Sequence, residues 1–466
     1  MKKIFVLLLF PVMITAQKNK PLFDTYMKGQ ANLYGFNGNV LVAQNGKVIY
    51  KRSFGYADYL TKKKLDNKSI FDCGSIAKEF TAVGILLLKD KGLVNYTDTL
   101  RKFFPELPYT DVTIQQLLTH TSGMPNGFAL VAKFFDHNQV ASNDDLIRLL
   151  AREKPPVLFK PGEDLMYSGT AFNLLASIIE RVSGQPYKVY MDEKIFKPLG
   201  MKYSMVANGP RSVKNIPGYA YGYVYSDSLK KYIPADSLHT GWTSYLAGIT
   251  GEGMIITTTG DLLIWDRALR NHRLLSATTQ KEMLSLQAEK NTFPKVRFGY
   301  GIRVGKNDLG NYVFHNGYYP GYKSMLINYT EDDVTVAVLS NDESQPEFIA
   351  DALASIALNK EVTMPALQKE VVTSTVPGQY VGSYLMRLGR PPYMVDFPVE
   401  FLTKNERLYI HPPGSADIEL KPVSKRKFFF GDGTDQQIEF IKDDHGIITS
   451  IWHTAWGIKK EIKKNE

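Results

Sequence analysis

Hydrophobic and polar positions change their period several times along the chain. Residues 38–57, GNVLVAQNGKVIYKRSFGYA, read as two strands around Asn45-Gly46, a dipeptide suited to a tight hairpin because both turn residues take positive φ. In 73–92, CGSIAKEFTAVGILLLKDKG, the apolar positions Ile76, Phe80, Val83 and Leu87 recur at helical spacing and Gly92 supplies a stop. From about 100 to 215 the pattern is helical and turn-rich; strands return at 296–304, 312–317 and 333–341. The outline predicts an α/β (α+β) domain: an antiparallel sheet flanked by helices, its first and last strands coming from the two ends of the domain, with an all-helical region inserted between. Residues 359–376 lose periodicity and read as a linker. In 377–466 short strands and turn signals alternate regularly, which predicts an all-β barrel or sandwich.

The N-terminus, MKKIFVLLLFPVMITAQKNK, has two lysines, a short apolar run and a small residue, Ala16, in the order of a secretory signal peptide. The run is shorter than the ~20 residues a membrane span needs. Residues 1–16 are therefore expected to be removed near Ala16, leaving a periplasmic or secreted chain whose first domain covers 17–358. Net charge is +9, but no basic stripe interleaved with aromatics appears, so nucleic acid is not an expected partner. Cys73, the single cysteine, excludes an internal disulfide and reads as a small buried hydrophobe. The eight histidines show no metal-ligand spacing, and neither metal nor cofactor is implied. His411 and His453 read as ordinary strand residues.

S-x-x-K occurs three times: Ser75–Lys78, Ser228–Lys231 and Ser424–Lys427. The last two sit in polar, lysine-rich segments. Only Ser75–Lys78 opens an apolar helix, where positions i and i+3 share a face and bring the amine to the hydroxyl. Partial burial is expected to lower the lysine pKa, and a neutral amine beside a hydroxyl makes an activated nucleophile. The helix N-terminal dipole would favour the developing anion.

Four stretches together resemble the serine β-lactamase and penicillin-binding family, on the branch of class C β-lactamases, D-Ala-D-Ala carboxypeptidases and related esterases, over about residues 25–345. They are FDCGSIAKEFTAVGILLL, VTIQQLLTHTSGMP, FKPGEDLMYSGTAFNLLASIIERVSGQPY and VFHNGYYPGYKSMLINYTEDDVTVAVLSND, in the family's order. The resemblance implies that Ser75 is acylated and that Lys78 and Tyr167 share the proton shuttling. It implies an oxyanion hole from the backbone N–H groups of Ser75 and Tyr318. His315-Asn316-Gly317 matches the family's Lys/His-x-Gly motif, with His315, partly charged near neutrality, facing the carboxylate end of a substrate. His239-Thr240-Gly241 matches the letters as well but lies in an irregular stretch, so His315 is preferred. The C-terminal module resembles a barrel-like domain often appended to the family.

Two positions depart from the family pattern. Its Tyr-x-Asn is here Tyr167-Ser168-Gly169, and Gly169 has no amide to hold an acyl side chain's amide group. In the Gly-rich stretch GITGEGMIITTTGDLLIW, Glu252 stands where small residues are usual, and reads as a solvated loop residue rather than a carboxylate of the site. The expected function is an exported serine hydrolase acting through a Ser75 acyl-enzyme on an ester or a D-amino-acid peptide or amide, with substrate-binding contacts at His315, Asn316, Gly317 and Gly169. The expected substrate is a small molecule or peptide, with cell-wall material one candidate source. The alternatives are a class C β-lactamase or D-Ala-D-Ala carboxypeptidase proper, and a non-catalytic penicillin-binding sensor. An α/β-hydrolase is disfavoured by the lack of a G-x-S-x-G elbow. Sequence leaves the oligomeric state and the role of the C-terminal domain open.

Overall fold

The computed structural model describes residues 11–207, 216–290, 296–342, 344–371, 378–390, 393–431 and 435–464. Residues 1–10 of the expected signal peptide and 372–377 at the end of the expected linker lie outside them. Two compact units form, one of residues 37–346 and one of residues 1–36 with 347–466.

In the first unit, Asn45 and Gly46 take φ of 50° and 72° and close the hairpin of β1 (Gly38–Gln44) and β2 (Lys47–Phe54). Six further strands complete the sheet: β3 (Ala288–Lys290), β4 (Val296–Phe298), β5 (Arg303–Asn307), β6 (Gly310–Tyr319), β7 (Tyr322–Tyr329) and β8 (Val334–Ser340). Their order is β3-β4-β5-β6-β7-β8-β1-β2, and β1 pairs antiparallel with β8, Gly38 opposite Ser340. The early hairpin thus docks on the last strand of the domain, as the pattern predicted. The expected strand at 296–304 is split. Gly301 turns at φ +67° and donates its N–H to Leu118 O at 3.0 Å, and a Cβ there would lie 2.6 Å from Ala82 Cβ.

Helix α2 (Ala77–Asp90) is buried along almost its full length. It packs against α3 (Gly169–Ser183) and, through Phe80 stacked on Trp265 at 4.0 Å, against α4 (Thr259–Arg270). Short helices at Ile114–Leu118, Gly127–Phe134 and Asn143–Glu153 make up much of the inserted helical region.

The second unit holds helices α1 (Pro11–Tyr34) and α5 (Pro346–Ala357) and a closed barrel of eight strands between Gly382 and Lys464. Alternate residues such as Val399 and Phe401, Leu408 and Ile410, and Ile438 and Phe440 fill the barrel interior. Helix α1 is tied to both chain-distant parts: Asn19 Nδ2 donates to Ile356 O at 3.0 Å, and Tyr26 OH to Trp456 O at 3.0 Å. Trp456 in turn stacks on Phe348 at 3.7 Å. Among the described residues no helix is long and apolar enough to cross a membrane.

Candidate active site

The site is built where the start of α2 meets β6 at van der Waals distance. Gly74 adopts φ +52° and opens a one-turn 3-10 helix, Gly74–Ile76, that runs into α2. A Cβ on Gly74 would sit 2.6 Å from Tyr318 N, and one on Gly317 would sit 2.0 Å from Cys73 O. Both glycines are therefore required by the close approach of two backbones. Ser324 Oγ donates to Cys73 O at 2.8 Å and fastens β7 to the same point. Ser75 and Tyr318 consequently share the wall of one cavity of about 210 Å³, with Trp242, Glu252, Met254 and Tyr319. That shared wall is the placement an oxyanion hole from their backbone N–H groups demands.

Lys78 Nζ donates to Ser75 Oγ at 3.0 Å and, from a fully buried side chain, also to Glu252 O at 2.8 Å and Glu252 Oε2 at 2.9 Å. Burial pulls the lysine pKa down, but Glu252 and then Tyr167 push it up and prevail, so the net shift is upward. The expectation of a neutral amine is thereby corrected: Lys78 is an ammonium at neutral pH, because a carboxylate has been brought to it. Glu252 is likewise not a solvated loop residue; its side chain is 15% exposed. Its loop is bolted down from both sides. Thr81 of α2 donates to Gly251 O at 2.6 Å, and Asn173 of α3 donates to Thr250 O at 2.8 Å.

Tyr167 precedes α3, whose N-cap Ser168 accepts from Ala171 N at 3.2 Å. Two cations lie near its ring: Lys78 Nζ at 4.8 Å and Arg303 Cζ at 5.2 Å from the centroid. His120, from the His-Thr-Ser-Gly turn, packs its ring 4.5 Å from that of Tyr167. Its Nδ1 accepts from Ser168 N at 3.0 Å, which leaves the proton on Nε2. Burial, with Lys78 and Arg303 nearby, holds the His120 pKa well below the usual histidine value. His120 is thus a neutral wedge that sets the backbone next to Tyr167.

His315 sits on β6 opposite Leu326, 1% exposed, its ring 6.2 Å from that of Tyr167. Burial, then the charges of Arg303 and Lys78, push its pKa well below the usual value, and Nδ1 lies 2.6 Å from Asn316 O. The partly charged histidine expected from the sequence is therefore corrected to a neutral, buried one. Asn316 is partly buried beside it, and Gly317 serves the backbone contact with Cys73. Gly169 opens α3; a Cβ there would lie 2.7 Å from Phe128 Cε2 and 3.5 Å from Glu252 Cγ.

The rejected His239 is exposed and ends a turn, although its neighbour Trp242 reaches the cavity. Ser228, Lys231 and Ser424 are surface residues, and Cys73 is a fully buried free thiol. His120 stood in a quoted motif without being singled out, whereas Arg303 and Trp242 carried no signal. Among the described residues no three His, Cys, Asp or Glu side chains cluster as metal ligands would.

Comparisons with known proteins agree with this architecture. The Beta-lactamase family model matches residues 23–359. Penicillin-binding protein 4* of Bacillus subtilis (strain 168) is 34% identical over 422 residues, covering 89% of this chain and 92% of that protein. Among solved structures, the octameric penicillin-binding protein homologue from Pyrococcus abyssi superposes with a TM-score of 0.65 at 23% identity, covering 95% of this chain and 99% of that one. The D-amino acid amidase from Ochrobactrum anthropi SV3 complexed with D-phenylalanine does so with a TM-score of 0.60 at 21% identity, covering 74% and 99%. By its sequence match over most of its length, the chain belongs to the Beta-lactamase family, with penicillin-binding protein homologues.

Proposed function

We propose that this chain is an exported serine hydrolase that forms an acyl-enzyme on Ser75 with an ester, or with a D-amino-acid amide or peptide, as donor. The observation that carries the reading is the 3.0 Å contact of Ser75 Oγ with the buried Lys78 Nζ, on a cavity wall shared with Tyr318. Ser75 Oγ attacks the acyl carbon, and the backbone N–H groups of Ser75 and Tyr318 receive the oxyanion; such donors typically contribute about 3–4 kcal/mol each. Lys78, charged in the resting site, stabilises the serine oxygen as its proton leaves. Tyr167, which interacts with Lys78, passes that proton to the leaving group and later takes one from water. The amidase neighbour and the missing asparagine at Gly169 favour an esterase or amidase over a β-lactamase or carboxypeptidase proper. Export rests on the signal-like residues 1–16.

The test compares a short-chain aryl ester, a D-Ala-D-Ala peptide and a chromogenic cephalosporin, using the mature chain and its Ser75→Ala variant. Turnover of the ester, lost in the variant, is expected. Equal rates in both proteins would remove Ser75 from the chemistry.

A further inference from the structure

Glu252 and Gly169, the two departures from the family pattern, meet in space. The Glu252 Cγ lies 3.5 Å from where a Cβ of residue 169 would begin, so the carboxylate arm runs through space that a side chain at 169 would enter. It ends on Lys78, with Oε2 at 2.9 Å from Nζ. Its other oxygen, Oε1, makes no hydrogen bond among the described residues. Glu252 is also the one charged residue among those lining the cavity; around it stand Trp242, Tyr318 and Tyr319, whose ring faces attract cations. The resemblance predicts an asparagine amide here, suited to an acylated nitrogen. This chain offers a half-free carboxylate.

We infer that the preferred acyl donor carries a free ammonium on the carbon next to its scissile carbonyl, and that Glu252 Oε1 receives it. Ser75 Oγ and Glu252 Oε2 lie within 3.0 Å and 2.9 Å of the same nitrogen. An ammonium two bonds from the attacked carbon therefore falls within reach of the carboxylate, which then bridges it and Lys78. The cavity, at about 210 Å³, is smaller than the ~300–1,000 Å³ of drug-sized ligand pockets and suits an acyl group the size of one residue. The covalent step is that of any acyl transfer. The Oγ–C bond forms, the bond from carbon to the leaving alcohol or amine breaks, and the leaving group takes the serine proton; the ammonium is unchanged. Acylating the nitrogen removes its charge and leaves the carboxylate facing an uncharged group.

The inference rests on the acyl-enzyme reading, and its test separates the two. Alanine methyl ester and alanine p-nitroanilide, each enantiomer, are compared with their N-acetyl counterparts on the full chain and on Glu252→Gln. A fluorophosphonate counts reactive Ser75 in both proteins. The expected result is a kcat/KM at least about tenfold higher for the free amines in wild type, falling to near parity in Glu252→Gln at equal labelling. The ratio is read within each protein, so a general loss of activity in the variant does not disturb it. A wild-type preference for N-acetyl donors, an unchanged ratio in the variant, or labelling without turnover of any free-amine donor would overturn the inference alone. No labelling and no turnover would instead sink the acyl-enzyme reading, and the inference with it.

Discussion

On the serine side of α2, Lys78 is completely buried and keeps its charge; the next residue, Glu79, turns toward α4, is buried as deeply and gives its charge up. Burial penalises both ions in the same way. The difference is what each one meets. Lys78 has a carboxylate 2.9 Å away, and its pKa ends above the ordinary value. Glu79 has the Trp265 indole N–H at 2.7 Å, which lowers its pKa too little to offset burial, and Asp266 nearby raises it further. Its carboxyl is pushed up to about 8, and its Oε1 is buried without a hydrogen-bond partner among the described residues. A neutral dipole does not replace a counter-ion. The protein has placed the counter-ion on the side where a charged residue does chemistry.

The comparison can be broken most severely at Lys78. Lys78→Met should lower kcat by about 10³-fold or more while Ser75 stays in place, read in steady-state turnover of an aryl ester. Glu79→Gln tests the other side. A carboxyl whose folded pKa is raised favours folding fully below its unfolded value near 4.5, and that advantage is lost as pH rises through about 8. Wild type should therefore lose roughly 3–4 kcal/mol of this contribution between pH 5 and 8, seen in urea midpoints, and the variant should show a flatter profile. Its pH–activity limbs should not move. The smallest effect is expected from Glu252→Gln, which leaves Lys78 buried but removes the carboxylate that raises its pKa. The alkaline limb of kcat/KM, where the Lys78 ammonium is lost, should shift to lower pH. A limb that stays put would belong to another group.

What could be read from the sequence follows the range of the interactions. The hairpin at Asn45-Gly46, the helix after Ser75 and the alternating strands of the barrel are set by neighbours within a few positions, and all three are present. Ser75–Lys78 was readable because three residues along a helix is a fixed geometry. Glu252 was visible as an odd letter in a Gly-rich stretch, but its partner is 174 residues away, and no local pattern encodes that. The charge of Lys78 was misread for the same reason: burial could be inferred from the apolar run, the counter-ion could not. His315 was found as a motif, and its charge was misjudged. Its exposure depends on how β6 packs under Tyr167 and Arg303, and Arg303 lies on a different strand.

Helix α1 introduces a question of timing. Its hydrogen-bond partners, Ile356 and Trp456, follow Asn19 and Tyr26 by 337 and 430 positions. At ~5–20 residues per second of synthesis, α1 waits roughly 20–90 s for the residue 430 positions on that holds it. The unit that α1 shares with the barrel closes only once Trp456 has been made. A chain interrupted anywhere before Trp456 lacks that closure, however well residues 37–346 have folded.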